Sequence, residues 1–420
     1  MNNPETPHAG PSRPLVNDVA DWLMTEALGS TRADTLLEQC ALRLNAAGIP
    51  LWRANIAFRI LHPLYQGVSH IWYRETGLEP IQTFAETGAD SNEDWKRSPG
   101  FYVVEHELPF LRRRLTGPDA QLDFPLLEEF RDKGATDYLV WTISFTDSNF
   151  DESHKDGMIG SWATDRPGGF SDADIQALLR IQQRLAVACK MTIRDQITHN
   201  VLGAYLGPDA GERVLKGQIK LGDGETTHAV IWFSDLREST KFADTMEPAD
   251  FLHLVNSYFA CTAGAVVANK GQVLRFVGDA VLGIFPIRDD GLSEQEACAH
   301  ALNAAAEAER RLATLNKERR ADGKPPLEFG LGLHLGDVMY GNIGIPERIE
   351  FSVIGPAANE TARLENLSKA VGHRVLLSDR FAAALDRGFL SLGRHQLRGV
   401  DGTMEVFTLD TSADRQDAAE

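Results

Sequence analysis

Two β-like runs, Val273-Leu274-Arg275-Phe276-Val277 and Ala280-Val281-Leu282-Gly283-Ile284-Phe285, are separated only by Gly278-Asp279. A two-residue, glycine-containing break between such runs predicts a tight antiparallel hairpin. Upstream, a third apolar run, Ala229-Val230-Ile231-Trp232-Phe233, gives way to the polar turn Ser234-Asp235-Leu236-Arg237-Glu238-Ser239-Thr240. If the hairpin pairs beside this third strand, Asp235 and Asp279 meet at one edge of a sheet. Aspartates are common in turns for local reasons. Two hard oxygen ligands brought together, however, suit Mg²⁺ or Mn²⁺ held jointly with phosphate oxygens.

The surrounding block, about 225 to 412, reads in order as a strand (228–234), a helix (248–269), a pair of strands (272–285), a helix (294–319) and a strand (328–336). That is a βαββαβ unit, the ferredoxin-like arrangement. A further hairpin from Ile349 to Ile354 follows, then a helix from about Ala357 to Lys369. Short strands at Arg374–Leu377, Phe389–Leu397 and Met404–Leu409 close the block.

The amino-terminal half is different in kind. Apolar residues Val19, Trp22, Leu23, Leu36, Leu37, Cys40 and Leu44 recur at helical intervals and predict a helical stretch from Val16 through Ala47. Strand-like runs follow at 54–60, 70–73, 138–145 and 157–163. The turn cluster Asp165-Arg166-Pro167-Gly168-Gly169-Phe170 ends this part, and Ser171 then caps a helix with Asp172 and Asp174 in its first turn. That helix carries Ile175, Leu178, Leu179, Ile181, Leu185 and Ala188 and extends to about Leu206. Its apolar stripe either packs back on its own domain or pairs with its copy in a dimer.

At 420 residues the chain is long enough for two or three domains. A formal charge of −18 opposes binding to nucleic acid or to an anionic membrane surface, while leaving room for a nucleotide in a local site. The four cysteines, Cys40, Cys189, Cys261 and Cys298, are scattered, as expected of buried free thiols. No apolar stretch is expected to span a membrane and no signal-peptide pattern opens the chain, so the expected location is cytoplasmic.

Four segments together resemble the class III nucleotidyl (adenylate/guanylate) cyclases: Phe233 to Thr240, Arg275 to Ala280, the glycine-punctuated Gly330 to Val338, and Phe351 to Arg363. The first half of the chain resembles a GAF-type sensory module in layout. The implied fold class is α+β: a disordered tail (1–14), a GAF-like sensory domain (15–170), a helical linker (171–215), a ferredoxin-like βαββαβ cyclase domain (216–412) and a short tail (413–420).

The resemblance implies ATP as substrate and 3′,5′-cyclic AMP with pyrophosphate as products. It also implies two Mg²⁺ or Mn²⁺ ions per site, held by Asp235 and Asp279. Backbone amides of Leu236, Arg237, Glu238, Ser239 and Thr240, with Arg398, would receive the phosphates. Asn359 and Arg363, at i and i+4 and so on one helix face, would orient the ribose and meet charge developing at the α-phosphate. Sites in this family form between two catalytic domains, which implies a homodimer, with an unidentified signal acting on the first domain.

Arg275 and Ser352 occupy the base-reading positions. Adenylate-selective members usually carry a lysine where Arg275 stands, and guanylate-selective members a glutamate and a cysteine at the two positions. Arginine donates and serine accepts, which favours adenine and leaves guanylate or dual specificity as the alternative. Pro356 replaces a more usual aspartate. A diguanylate cyclase is disfavoured because Val277-Gly278-Asp279-Ala280-Val281 stands where its signature hairpin would be. A catalytically silent scaffold would have lost a metal aspartate or the Asn/Arg pair, and all four are present. His228, His253, His334 and His373 read as structural. His70, His106 and His154 lack a ligand motif, and Trp52, Trp72, Trp141 and Trp162 read as core.

Overall fold

Two helices, not one, open the chain: α1 (Arg13–Glu26) and α2 (Ala33–Ala46), broken by the Leu28-Gly29-Ser30 turn. The computed structural model describes residues 10–60, 65–84, 89–145, 157–287, 291–400 and 402–409. Both expected tails therefore lie mostly outside the described residues, and α1 already begins at Arg13, inside the stretch read as disordered. The chain divides into two units, Met1–Ala204 and Tyr205–Glu420.

The first unit continues with β1 (Arg53–Arg59), β2 (Gly67–Tyr73), β3 (Gly77–Leu78), β4 (Gln82–Phe84), α3 (Ala89–Lys96), α4 (Pro99–Glu105), β5 (Phe110–Arg114), α5 (Pro125–Asp132), β6 (Asp137–Ser144) and β7 (Gly157–Thr164). The strands form an antiparallel sheet in the order β3-β2-β1-β7-β6-β5, with β4 also on β2. The long helix α6 (Asp172–Leu206) begins where Ser171 and Asp174 cap each other. Its stripe from Ile175 to Ile193 is buried with α1, α2 and the sheet tryptophans Trp72, Trp141 and Trp162. Of the two roles open to that stripe, packing on its own unit is the one observed. From Arg194 onward the helix is exposed or half-exposed.

The second unit comprises α7 (Pro208–Leu215), β8 (Gly224–Leu236), α8 (Ser239–Thr245), α9 (Pro248–Ala268), β9 (Gln272–Val277), β10 (Ala280–Pro286) and α10 (Glu294–Ala321). It ends with β11 (Phe329–Ile345), β12 (Arg348–Ile354), α11 (Pro356–Val371), β13 (Val375–Ser378), α12 (Asp379–Ala383), β14 (Leu390–His395) and β15 (Met404–Thr408). The element order is the βαββαβ unit read from the sequence, and the sheet runs β14-β15-β13-β11-β8-β10-β9, with β12 on β11. Helices α9 and α10 cover one face through Leu254, Tyr258, Val266, Ala297, Ala301 and Leu312, against Val230, Trp232, Val281 and Leu333.

One expectation changes here. Helix α9 is, by length and composition alone, apolar enough to cross a membrane. In the fold Leu254, Val255, Tyr258, Ala265 and Val266 of this helix are part of the core under the sheet, while Leu252 and Val267 are exposed. The four cysteines are free and buried, as expected, and burial pushes the Cys40 thiol up to about 12.

Candidate active site

Strand β8 alternates its side chains between two cores. Val230 and Trp232 enter the core under α9 and α10, while Ala229 and Ile231 enter the opposite one. Asp235 closes this second set at the strand's carboxyl end. The β9–β10 hairpin turns through Gly278 at φ +64° and Asp279, with Val277 opposite Ala280. Ala280 in turn lies opposite Asp235, so the register sets the two aspartates side by side.

Their electrostatics show how close they are. The Asp235 carboxyl is pushed up to about 6, first by burial, then by the charge of Asp279 and a hydrogen bond with it. Asp279 keeps Oδ2 buried without a hydrogen-bond partner. A lysine that the sequence reading missed, Lys369 on α11, brings Nζ to 3.8 Å from Asp235 Oδ2. Two crowded carboxylates with an orphaned oxygen fit a hard divalent cation. Among the described residues no third His, Cys, Asp or Glu completes a protein-only cage. The remaining ligands would be substrate oxygens or water, as suits Mg²⁺.

Behind the aspartates lies a second acidic group that sequence reasoning also missed. Glu365 on α11 is buried and pushed up to about 7, mainly by desolvation, with the charges of Asp235 and Asp279 adding to it. Arg237 Nη1 stands 3.1 Å from Glu365 Oε1, and the Arg237 guanidinium also donates to the Ser368 hydroxyl. Gly330, paired with Asp235 across β8 and β11, leaves the room for this contact. A Cβ there would collide with both Arg237 and Glu365.

Within the expected phosphate cradle, one residue is already engaged. The Arg237 amide is bound to the Glu328 carbonyl at 2.8 Å, and its side chain is committed to α11. Leu236 is still strand, with its side chain in the core. Glu238, at φ +57°, makes the turn into α8, with exposed Thr240 and half-exposed Ser239 in the first helical turn. The amides of Glu238, Ser239 and Thr240 follow at the start of α8. Arg398 is exposed in the turn between Leu397 and Val400.

Asn359 and Arg363 sit on α11, both exposed. At about 100° per residue, Arg363 lies about 160° around the helix from Glu365. The face toward Asp235 carries Ala357, Thr361, Leu364, Glu365 and Ser368, all buried. The chain therefore brings Asp235 and Asp279 together, and turns Asn359 and Arg363 away from them.

Arg275 on β9 reaches β12, where its Nε lies 2.9 Å from Glu350 Oε1. Ser352, two residues along β12 from Glu350 and thus on the same face, is buried opposite Gly341. The base-reading candidates are neighbours, with Glu350 as an unforeseen third member. Two of the histidines expected to be structural have side-chain partners: His228 contacts Asp337 at 2.6 Å and Glu294 at 3.3 Å, and His334 lies 3.2 Å from Glu360. His70 is buried beside Phe58 and His106 ends α4, while His154 lies outside the described residues.

Residues 223–411 match the family model of the adenylate and guanylate cyclase catalytic domain. An adenylate cyclase of Anabaena cylindrica is 33% identical over 165 residues, which are 38% of this chain and 31% of that protein. An uncharacterized protein of Mycobacterium tuberculosis is 34% identical over 206 residues, covering 48% of this chain and 36% of the other. Adenylate cyclase 1 of Rhizobium meliloti is 27% identical over 179 residues, or 42% of this chain and 26% of its own length. The chain thus spans about a third of the length of the curated relatives it matches. Within the second unit, residues 223–411 are thus similar to adenylate and guanylate cyclase catalytic domains.

Proposed function

We propose that this cyclase domain makes 3′,5′-cyclic AMP and pyrophosphate from ATP, at sites shared between two copies of the chain. The observation that carries this reading is the two-faced helix α11. Its inner face meets Asp235 through Lys369 and packs Glu365, while Asn359 and Arg363 point outward. A chain that holds its metal aspartates on one side and its transition-state residues on another needs a second copy to complete either.

Asp235 and Asp279 would hold two divalent ions, which when bound lower the pKa of the ribose 3′-hydroxyl and neutralise the leaving phosphates. Lys369 offsets part of the excess acid before the ions arrive. Asn359 of the second copy orients the ribose, so that its 3′-oxygen faces the α-phosphate in line. Arg363 donates to the α-phosphate oxygens as they gain charge. Glu238 to Thr240, with Arg398, would receive the β- and γ-phosphates.

For the base, Arg275 donates to adenine ring nitrogens and Ser352 accepts from the 6-amino group. Glu350 favours a second reading. A carboxylate 2.9 Å from Arg275 can accept from the N1–H and 2-amino groups of guanine while the arginine donates to O6. A guanylate or dual activity is therefore the alternative. The first unit, with its GAF-like layout, is proposed as the regulatory module, acting through α6.

Purified protein incubated with ATP or GTP and with Mg²⁺ or Mn²⁺ tests the reading directly. Cyclic AMP in excess over cyclic GMP supports it, and the reverse order supports the Glu350 alternative. No cyclic nucleotide from either substrate, with residues 216–412 alone also inactive, would make the fold a silent scaffold.

A further inference from the structure

The sheet of the first unit has two unlike faces. Toward α1, α2 and α6 it presents Ala54, Ile56, Phe58, Trp72, Leu139, Trp141 and Trp162. The opposite face of the same strands carries Arg53, Asn55, Ser69, Tyr73, Tyr138 and Ser161, set beside Ile71, Val140 and Ala163, with registers Arg53 to Tyr73 and Asn55 to Ser161; Tyr138, Val140 and Ala163 pack there with Leu127 and Phe130. Arg53 is only 7% exposed, Ser69 4%, Ser161 3% and Tyr138 3%.

The chemistry of Arg53 is incomplete. Its Nε donates to the Tyr73 hydroxyl and its Nη1 to Ser161 Oγ, both at 3.2 Å. The guanidinium also lies over Phe130 at 4.9 Å and Tyr73 at 5.6 Å. Guanidinium has five N–H donors, so most of its hydrogen-bonding capacity is unspent among the described residues. No carboxylate among them is in ion-pair contact with it. Two other arginines of this unit are paired with buried carboxylates: Arg112 with Asp137 at 2.6 Å, and Arg166 with Asp174. Burying a charge without its counter-charge is costly, even when hydroxyls solvate it in part.

We propose that Arg53 anchors a binding site for a small organic monocarboxylate on this face of the first unit. The guanidinium supplies the paired donors that a carboxylate accepts. The Tyr73 hydroxyl beside it can rotate to donate, Ser161 pairs with both Arg53 and Tyr138 and so fixes the guanidinium, and Asn55, whose Nδ2 donates to Ser69 Oγ at 2.6 Å, extends the polar floor. One buried cation balances one negative charge, whereas dianionic phosphate would leave an excess. Trp52, Tyr73 and Phe130, with centroids 5.3 and 5.8 Å apart, offer edges and faces to a short or flat apolar body. The site stands independently of the cyclase reading, because its binding is measurable without turnover.

Thermal melting of the full chain tests it, with sodium acetate and sodium benzoate titrated to millimolar levels against chloride at constant ionic strength. A carboxylate is expected to raise the melting temperature with its concentration, as any native-state ligand does. Ser161→Ala should raise the half-saturating concentration about tenfold. Arg53→Met should abolish the shift, and without ligand should melt no lower than the wild type, since it removes an uncompensated charge. If Arg53→Met does not fold, Arg53 is structural and the proposal falls. It falls equally if neither carboxylate exceeds chloride, or if the shift survives Arg53→Met. Phosphate stabilisation that Arg53→Met removes, larger than that of the carboxylates, would overturn the ligand class.

Discussion

Asp235 shows how little of a site's chemistry is visible in a single residue. As a turn aspartate it is unremarkable; opposite Ala280 and beside Asp279 it becomes an acid with a pKa raised to about 6. Glu365, raised to about 7, behaves the same way. Both bind protons more tightly folded than unfolded, starting from ordinary values of 3.8 and 4.5. Their stabilising contribution is whole below about pH 4 and is lost as pH rises through about 6 and then about 7. Metal-free protein is therefore expected to lose stability from these groups across that window. Added Mg²⁺ should stabilise more at pH 8 than at pH 5, because at pH 5 it must displace a proton. Melting curves with and without Mg²⁺ at the two pH values check this, and an equal Mg²⁺ effect at both would contradict it.

Glu238 offers a second test at this scale. It holds φ +57°, a conformation that costs a non-glycine residue about 1 kcal/mol. Glu238→Gly is expected to leave stability unchanged or raise it by up to about 1 kcal/mol, read as the denaturation midpoint. A clear loss would mean that the carboxylate makes a contact worth more than the strain. The sequence anticipated that Asp235 and Asp279 meet at one sheet edge, as the registers of β8, β9 and β10 have them. It could not reveal Arg237 with Glu365, because residues so far apart in sequence meet only once β8, β11 and α11 are packed.

At the scale of elements, α11 has two unlike faces, one buried and one carrying the exposed Asn359 and Arg363. Arg363→Ala, on the exposed face, should change stability by no more than about 0.5 kcal/mol. Cyclase activity should nevertheless fall at least about a hundredfold. Gly330→Ala drives a methyl group into the Arg237–Glu365 contact under the inner face, and should cost about 1–3 kcal/mol by chemical denaturation. If the two variants behaved alike, the division of the helix would be wrong.

The hairpin at Gly278-Asp279 and the βαββαβ order were legible because period-two alternation, glycine placement and helix caps agree there. The short strands β3 and β4 and the arginine-rich β5 were not. They have little apolar alternation to announce them, and β5 takes its shape from pairing with β6. The break between α1 and α2 was hidden because apolar spacing continues on both sides of the turn. The role of α6 was open for a different reason: an apolar stripe does not say which surface covers it. Packing with α1 and α2 answers that as far as Ile193.

At the scale of the molecule, two units share one chain, the second similar to cyclase catalytic domains, and α6 ends where that second unit begins. Control through that helix requires only a small displacement of half-sites, because such chemistry is sensitive to misplacement on the ångström scale. The central claim is that each pair of aspartates is half a site. Asp279→Ala and Arg363→Ala chains, each inactive alone, should therefore complement when coexpressed. A heterodimer restores one intact site of two, so a random mixture should recover roughly a quarter of wild-type cyclic AMP production. Confirmed heterodimers that remain inactive would contradict the shared site.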